Sequence, residues 1–323
     1  MDFIKRRILT YLVVLFVVLN LDFFLPRIAP GNPALQYTSN GLNSNLQQQL
    51  VTARFGLNQP LYVQYYSFLK NIFATWPPNF GISYQYYPQT VWNLFVSRIG
   101  WTALLIVSSI VLSVILAYFM ARRSCMNLGG KADTGFLYSA ISFQTIPIYW
   151  VAMILLWYLG FELKWFPTFG NVDANITSTG LDYWFSVIYH AILPLTVMTL
   201  SVFGQNYLIL RGSIQEVLKS DFVTTAKTRG LSNGVIASSY ILRSSLLPLV
   251  SVLSFSVASL ISRDVLVEAV FGYNGVGDLL VDGVVNRDFP VLEGTLFLLT
   301  VIILIGGLVG DLILVKLDPR LRR

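Results

Sequence analysis

Residues 221–248 read DFVTTAKTRGLSNGVIASSYILRSSLLP, a polar segment set between two apolar stretches. Asp221 is placed to cap a helix through Arg229 that Gly230 closes. Leu231 follows, and Ser232-Asn233 can cap a second helix leading to Arg243 and Leu247-Pro248. Two short helices around a glycine make a compact elbow lying parallel to a membrane. Phe222, Val223, Ala226 and Leu231 give it an apolar face, and its small residues admit a closely packed partner. A body of this kind transmits displacement better than a floppy loop.

On either side of the elbow the chain is apolar. Hydrophobic residues make up 55% of the 323 and charged residues 12%, where soluble domains carry about 25% charged, so a bilayer is the expected solvent. Six segments approach the about 20 apolar residues a span needs: 8–25, 99–121, 136–160, 184–210, 246–263 and 291–315. Of the 22 Lys and Arg, 15 fall on the side carrying both termini and the elbow, and 7 are spread over the longer loops opposite. Positive charge marks the cytoplasmic face, so both termini and loop 211–245 are expected there, and loop 26–97 outside. The predicted fold is an all-α polytopic membrane protein, a single transmembrane domain over 1–323.

Several function classes are excluded early. The net charge of +6 is dispersed in short groups between spans, which fits topology signals and not a nucleic-acid face. One cysteine, Cys125, excludes an intramolecular disulfide and a multi-cysteine zinc site, and one histidine, His190, argues against a His-based metal or proton-relay centre. No metal site is expected. The run from Ile8 ends in Pro26-Arg27 without a small-residue cleavage site and reads as a retained signal anchor.

The first outer loop is too long for a connector. Asn43-Ser44 can cap a helix with Leu46, Leu50 and Ala53 on one face, stopped by Gly56. Pro60, at a first-turn position, can start a second helix with Leu61, Tyr65, Phe68, Leu69 and Ile72 at helical spacing. Such a cap is either a surface that receives a substrate-carrying protein, with Tyr65 and Phe68 as candidates, or a lid over the helix ends. The last outer loop holds Glu268, Asp278, Asp282 and Asp288 together with Gly272, Gly275, Gly277 and Gly283. The acids lack the alternate-residue spacing of a calcium loop, so a folded lip near the pathway is expected, with Glu268, Gly275 and Gly277 as contact candidates.

Within the spans, Asp22 and Asp311 lie near the ends, where interfacial water can solvate a carboxylate. Pro147 and Pro194 interrupt the backbone ladder of spans three and four, which helps a helix bend or line a wet cavity. Together with Tyr149 and Trp150 they are the candidates for the substrate pathway, although such aromatics also serve as interfacial anchors.

Residues 221–248 resemble the ATPase-coupling motif of ABC importer permeases, in the version of the dipeptide/oligopeptide permease family. The family pattern D-[YF]-V-x-T-A-[KR]-x-[KR]-G-L-S falls on Asp221–Ser232, with Thr224-Thr225-Ala226 where the general importer motif has Glu-Ala-Ala. Ala29-Pro30-Gly31-Asn32-Pro33 resembles the family's APGDP segment, and Phe55-Gly56-Leu57-Asn58-Gln59-Pro60-Leu61 its FGLDQPL. Pro147-Ile148-Tyr149-Trp150, Trp165-Phe166-Pro167, the stretch from Glu268 to Gly277, Arg287-Asp288-Phe289-Pro290 and Leu317-Asp318-Pro319-Arg320 resemble further family blocks in order.

The resemblance implies the six-helix fold of the type I importer kind. It also implies pairing with a second homologous permease, two ATPase subunits and an external substrate-binding protein. Asp221, Phe222, Val223, Thr224, Thr225, Ala226, Lys227, Gly230 and Leu231 would then contact an ATPase. ATP and Mg belong to those partner subunits. The chain itself has no G-x-x-x-x-G-K-[ST], and Gly129-Gly130-Lys131-Ala132 is only a lookalike. Peptides are the expected cargo and oligosaccharides the alternative, since either stacks on Tyr and Trp. A secondary transporter working without ATP is the rival from another class. An intramembrane enzyme would need paired catalytic groups in the spans, which the chain does not offer.

Overall fold

The computed structural model describes residues 2–28, 52–53, 56, 58–176 and 180–317. The motif at residues 29–33, the first outer helix expected around Asn43, Ser44, Leu46 and Leu50, the motif residues Phe55 and Leu57, and residues 318–320 lie outside them. The described residues are mostly helical, without a β-strand among them beyond an isolated bridge between Ile82 and Thr90. The helices are α1 (Asp2–Ile28), α2 (Leu61–Phe73), α3 (Val91–Met126), α4 (Lys131–Thr145) and α5 (Ile148–Leu155), which a π-helical segment Leu156–Glu162 extends. There follow α6 (Leu181–Val217), α7 (Asp221–Thr228), α8 (Arg243–Phe271), α9 (Val276–Val285) and α10 (Phe289–Leu317).

Four of these, Lys5–Ile28, Val91–Met126, Leu181–Val217 and Phe289–Ile313, are long and apolar enough to cross a bilayer, and α4 with α5 supplies a fifth if taken as one broken span. The fifth expected span, 246–263, falls inside α8. Leu9, Leu12 and Phe16 of α1 and Val107, Ile115 and Phe119 of α3 are exposed, as lipid-facing side chains are. The chain is a multi-pass membrane protein.

The chain divides into two compact units, one holding the described residues up to Gly100 with Gly275–Ile305, the other Trp101–Asn274 with the described residues from Gly306. In the first, the fully buried Phe23 of α1 meets Tyr65 edge-on at 5.1 Å and Phe68 at 5.4 Å. Arg27 lies 3.6 Å over the Phe23 ring and pairs with the buried Glu293. Gly294 admits Val91 and Phe80, whose side chains would stand 2.6 and 2.8 Å from a Cβ there. In the second, α6 is central and packs on α4, α5 and α8.

The third predicted span is not one helix. Ile146 and Pro147 are extended, and α4 and α5 meet at 98°. Proline drives its predecessor out of the helical region, so Pro147 ends a helix instead of kinking one. Pro194, by contrast, sits inside the unbroken α6. The second arm of the elbow also differs from the expected short helix. After a single helical turn at Asn233–Val235, a π-helical segment Ile236–Leu242 runs without a stop into α8 and past Pro248. Asp22 and Asp311 are buried, not solvated at the span ends.

The last outer loop is mostly helix. Gly272 closes α8 with a left-handed backbone, φ 52°, its amide donating to the Glu268 carbonyl oxygen. Three of its acids are already engaged. Asp278 pairs with Arg98 at 3.2 Å, Asp282 accepts from the Tyr86 hydroxyl, and Asp288 accepts from Ser83 Oγ at 2.5 Å and the Gln85 amide at 2.9 Å. These carboxylates fold the lip by bonding to the chain.

Candidate functional site

The elbow starts one residue earlier than a cap at Asp221 implies and ends where the glycine predicts. Ser220, extended, precedes α7, so Asp221 is the first helical residue and not the cap, and no side chain bonds to the first turn. Asp221 still favours this end electrostatically. Thr225 and Thr228 turn their hydroxyls back to the carbonyls of Asp221 and Thr225, at 2.9 Å each. Gly230 ends the helix with φ +77°, its amide bonded to the Lys227 carbonyl at 3.0 Å, and the Leu231 amide reaches back to Ala226. A β-carbon at Gly230 would meet no atom within 4 Å, so the glycine serves the backbone turn and not a close contact.

The expected single apolar face is in fact two. Val223 and Ala226, three apart, are buried in a cluster with Ala140, Phe203, Tyr207, Leu210, Ile214, Ile236, Ile241 and Leu242. Phe222 and Leu231 point away and are 44% and 36% exposed. Asp221, Thr224, Thr225, Lys227 and Arg229 are exposed with them. One face therefore anchors the elbow, and the other presents two apolar side chains ringed by hydroxyls and charges. Burying Val223 alone is worth about 1.5–3 kcal/mol, enough to hold a two-turn helix that would not persist in isolation.

Of the pathway candidates, Pro147, Tyr149 and Trp150 gather at the break between α4 and α5, all exposed. Pro194 is buried within α6. The outer candidates are placed inward. Tyr65 donates to Asn20 Oδ1 at 2.9 Å, and Phe68 is buried against Phe23. The exposed face of α2 is instead that of Tyr62 and Tyr66. Glu268 is fully buried and accepts from Thr102 Oγ1 at 2.6 Å, so it is no surface contact of this chain. Gly275 precedes the first turn of α9 and Gly277 is buried in it.

Motif reading missed the support beneath the elbow. Asp133 and Arg211, 78 positions apart, form a two-bond ion pair at 2.8 and 2.9 Å. No local spacing signals such a pair.

Comparison with known proteins covers almost every residue. Residues 109–323 match the family described as binding-protein-dependent transport system inner membrane component, and residues 1–106 match its N-terminal companion. An oligopeptide transport system permease protein of Haemophilus influenzae is 31% identical, with 100% of this chain and 99% of the relative covered. An oligopeptide transport system permease protein of Bacillus subtilis is 29% identical over 99% of this chain and 98% of its own. A dipeptide transport system permease protein of Lactococcus lactis is also 29% identical, with 99% of each covered.

Proposed function

The chain belongs to the binding-protein-dependent family of inner-membrane transport components, and from that premise we propose that it is the permease subunit of an ATP-driven peptide importer. Peptide import is favoured over oligosaccharide import because the relatives at near-complete coverage are named as oligopeptide and dipeptide systems. The chain is a transport subunit, and we assign ATP hydrolysis, with its Mg, to two separate subunits. A second homologous permease completes the pathway, and an external binding protein delivers the peptide. The positive-inside asymmetry supports a cytoplasmic side for both termini and the elbow.

One observation supports the coupling role above others: α7 is held by Val223 and Ala226 while Phe222 and Leu231 remain exposed on its free face. A helix anchored on one side and apolar on the other suits a cleft in a moving partner. ATP-driven closure of the ATPases would displace α7 and bias the spans between outward- and inward-facing states. The break at Pro147, with Tyr149 and Trp150 beside it, is the pathway element we expect to respond. Uptake of a labelled peptide by vesicles carrying the assembled complex tests this. It should require hydrolysable ATP and the binding protein; uptake that persists without ATP would return the secondary-transporter reading.

A further inference from the structure

A buried polar clamp holds α4 to α6 beneath the elbow. Asp133, 1% exposed in the first turn of α4, accepts the Nε and Nη2 hydrogens of Arg211 as a fork. It also accepts the Gly129 amide at 2.8 Å and the Tyr207 hydroxyl at 3.2 Å. The Tyr207 hydroxyl lies 2.8 Å from Ser124 Oγ of α3, so a proton donated by Ser124 leaves the tyrosine free to donate to Asp133. Fork geometry constrains angle as well as distance, which a single contact would not.

A second contact lies seven positions along each helix, about two turns away. A Cβ at Gly204 would overlap the Ala140 carbonyl oxygen and stand 3.3 Å from its carbon. Antiparallel α4 and α6 are thus pinned at 133 to 211 and at 140 to 204. Sliding or rolling one on the other breaks the fork or moves backbone away from backbone. At one end α6 runs through Leu218, Lys219 and Ser220 into α7, whose anchors share a buried cluster with Ala140, Tyr207 and Ile214. At the other end α4 stops at the Pro147 break.

We propose that Asp133 and Arg211 are positioning residues of the transport cycle: their fork makes α4 follow α6, so that movement of the elbow reaches the Ile146–Pro147 break. This rests on the importer reading. A clamp that serves only folding and one that carries displacement differ in a measurable ratio, the peptide imported per ATP hydrolysed.

The experiment uses the assembled complex in vesicles with Asp133→Asn, Arg211→Lys and the exchange Asp133→Arg with Arg211→Asp. The proposal expects ATP hydrolysis within about twofold of wild type while uptake per ATP falls about tenfold in Asp133→Asn, less in Arg211→Lys, with partial recovery in the exchange. Uptake and hydrolysis falling together, in proportion to the complex recovered, would overturn it, as would an unchanged ratio. Should Asp133→Asn fail to assemble, Arg211→Lys, which keeps the charge and loses the fork, decides alone. Hydrogen exchange supplies a readout independent of transport: either variant should raise exchange across Lys131–Thr145 and leave α8 unchanged, and undisturbed protection of α4 sinks the clamp. A wild-type complex without ATP-driven uptake counts against the importer reading and leaves the exchange result to judge the clamp.

Discussion

Gly204 and Ala140 bring α6 and α4 into backbone contact, so close that no β-carbon fits between them. The obstructing atom is a carbonyl oxygen, which cannot rotate away as a side chain can. Gly204→Ala should therefore cost about 1–3 kcal/mol by overpacking, although alanine is the better helix former. Thermal unfolding of the purified protein in detergent measures it, and a midpoint at or above wild type would show that the helices part freely.

Gly230 makes the opposite case. Its φ of +77° disfavours any β-carbon, but the space around it is open. Gly230→Ala should cost about 1–2 kcal/mol of local stability and leave assembly intact. Gly230→Trp adds bulk on the exposed side and should also impair co-purification with the ATPases and transport. Equal behaviour of the two variants in co-purification would argue that the glycine matters only as a turn.

The pair of Arg27 and Glu293 predicts an asymmetry between single and double substitutions. Arg27 is stacked on Phe23 and bonded to Glu293 in a site both largely leave buried. Arg27→Ala strands the carboxylate and should cost about 3–5 kcal/mol, whereas Arg27→Met with Glu293→Gln removes both charges and should cost much less. Denaturation of the three proteins side by side provides the check.

Burial pushes the Asp278 carboxyl up from 3.8 to about 6, with the neighbouring Asp282 adding and Arg98 opposing. Because the folded-state value is raised, the stabilising contribution is complete below about pH 4 and is lost as pH rises through about 6. Asp278→Asn still accepts from Arg98 and does not titrate. The difference in unfolding midpoint between variant and wild type should thus move in favour of the variant between pH 4 and pH 7; a difference independent of pH contradicts the assignment.

The helical architecture and the place of the elbow were legible because they depend on local signals. Apolar length identifies a span, Asp221 and Gly230 bracket a helix, and the ordered motifs carry the family. What was not legible followed from contacts between distant segments. Tyr65 and Phe68 sit at helical spacing, yet spacing identifies a buried face without its partner, and that partner is Phe23 of α1. Glu268 lies in a stretch whose spacing suggests a surface acid, and its burial depends on Thr102, 166 positions away, which donates to it.

From residues 221–248 alone came an elbow: a short helix, a glycine turn and an apolar surface, all set by neighbours within about one helical turn. Only the tertiary structure decided which apolar residues anchor and which are offered. Val223 and Ala226 face a cluster built from other helices, and Phe222 and Leu231 face away from it. The fork of Arg211 on Asp133 belongs to the same category. Two charges 78 positions apart become a clamp only when folding has brought α4 against α6 and removed the water between them.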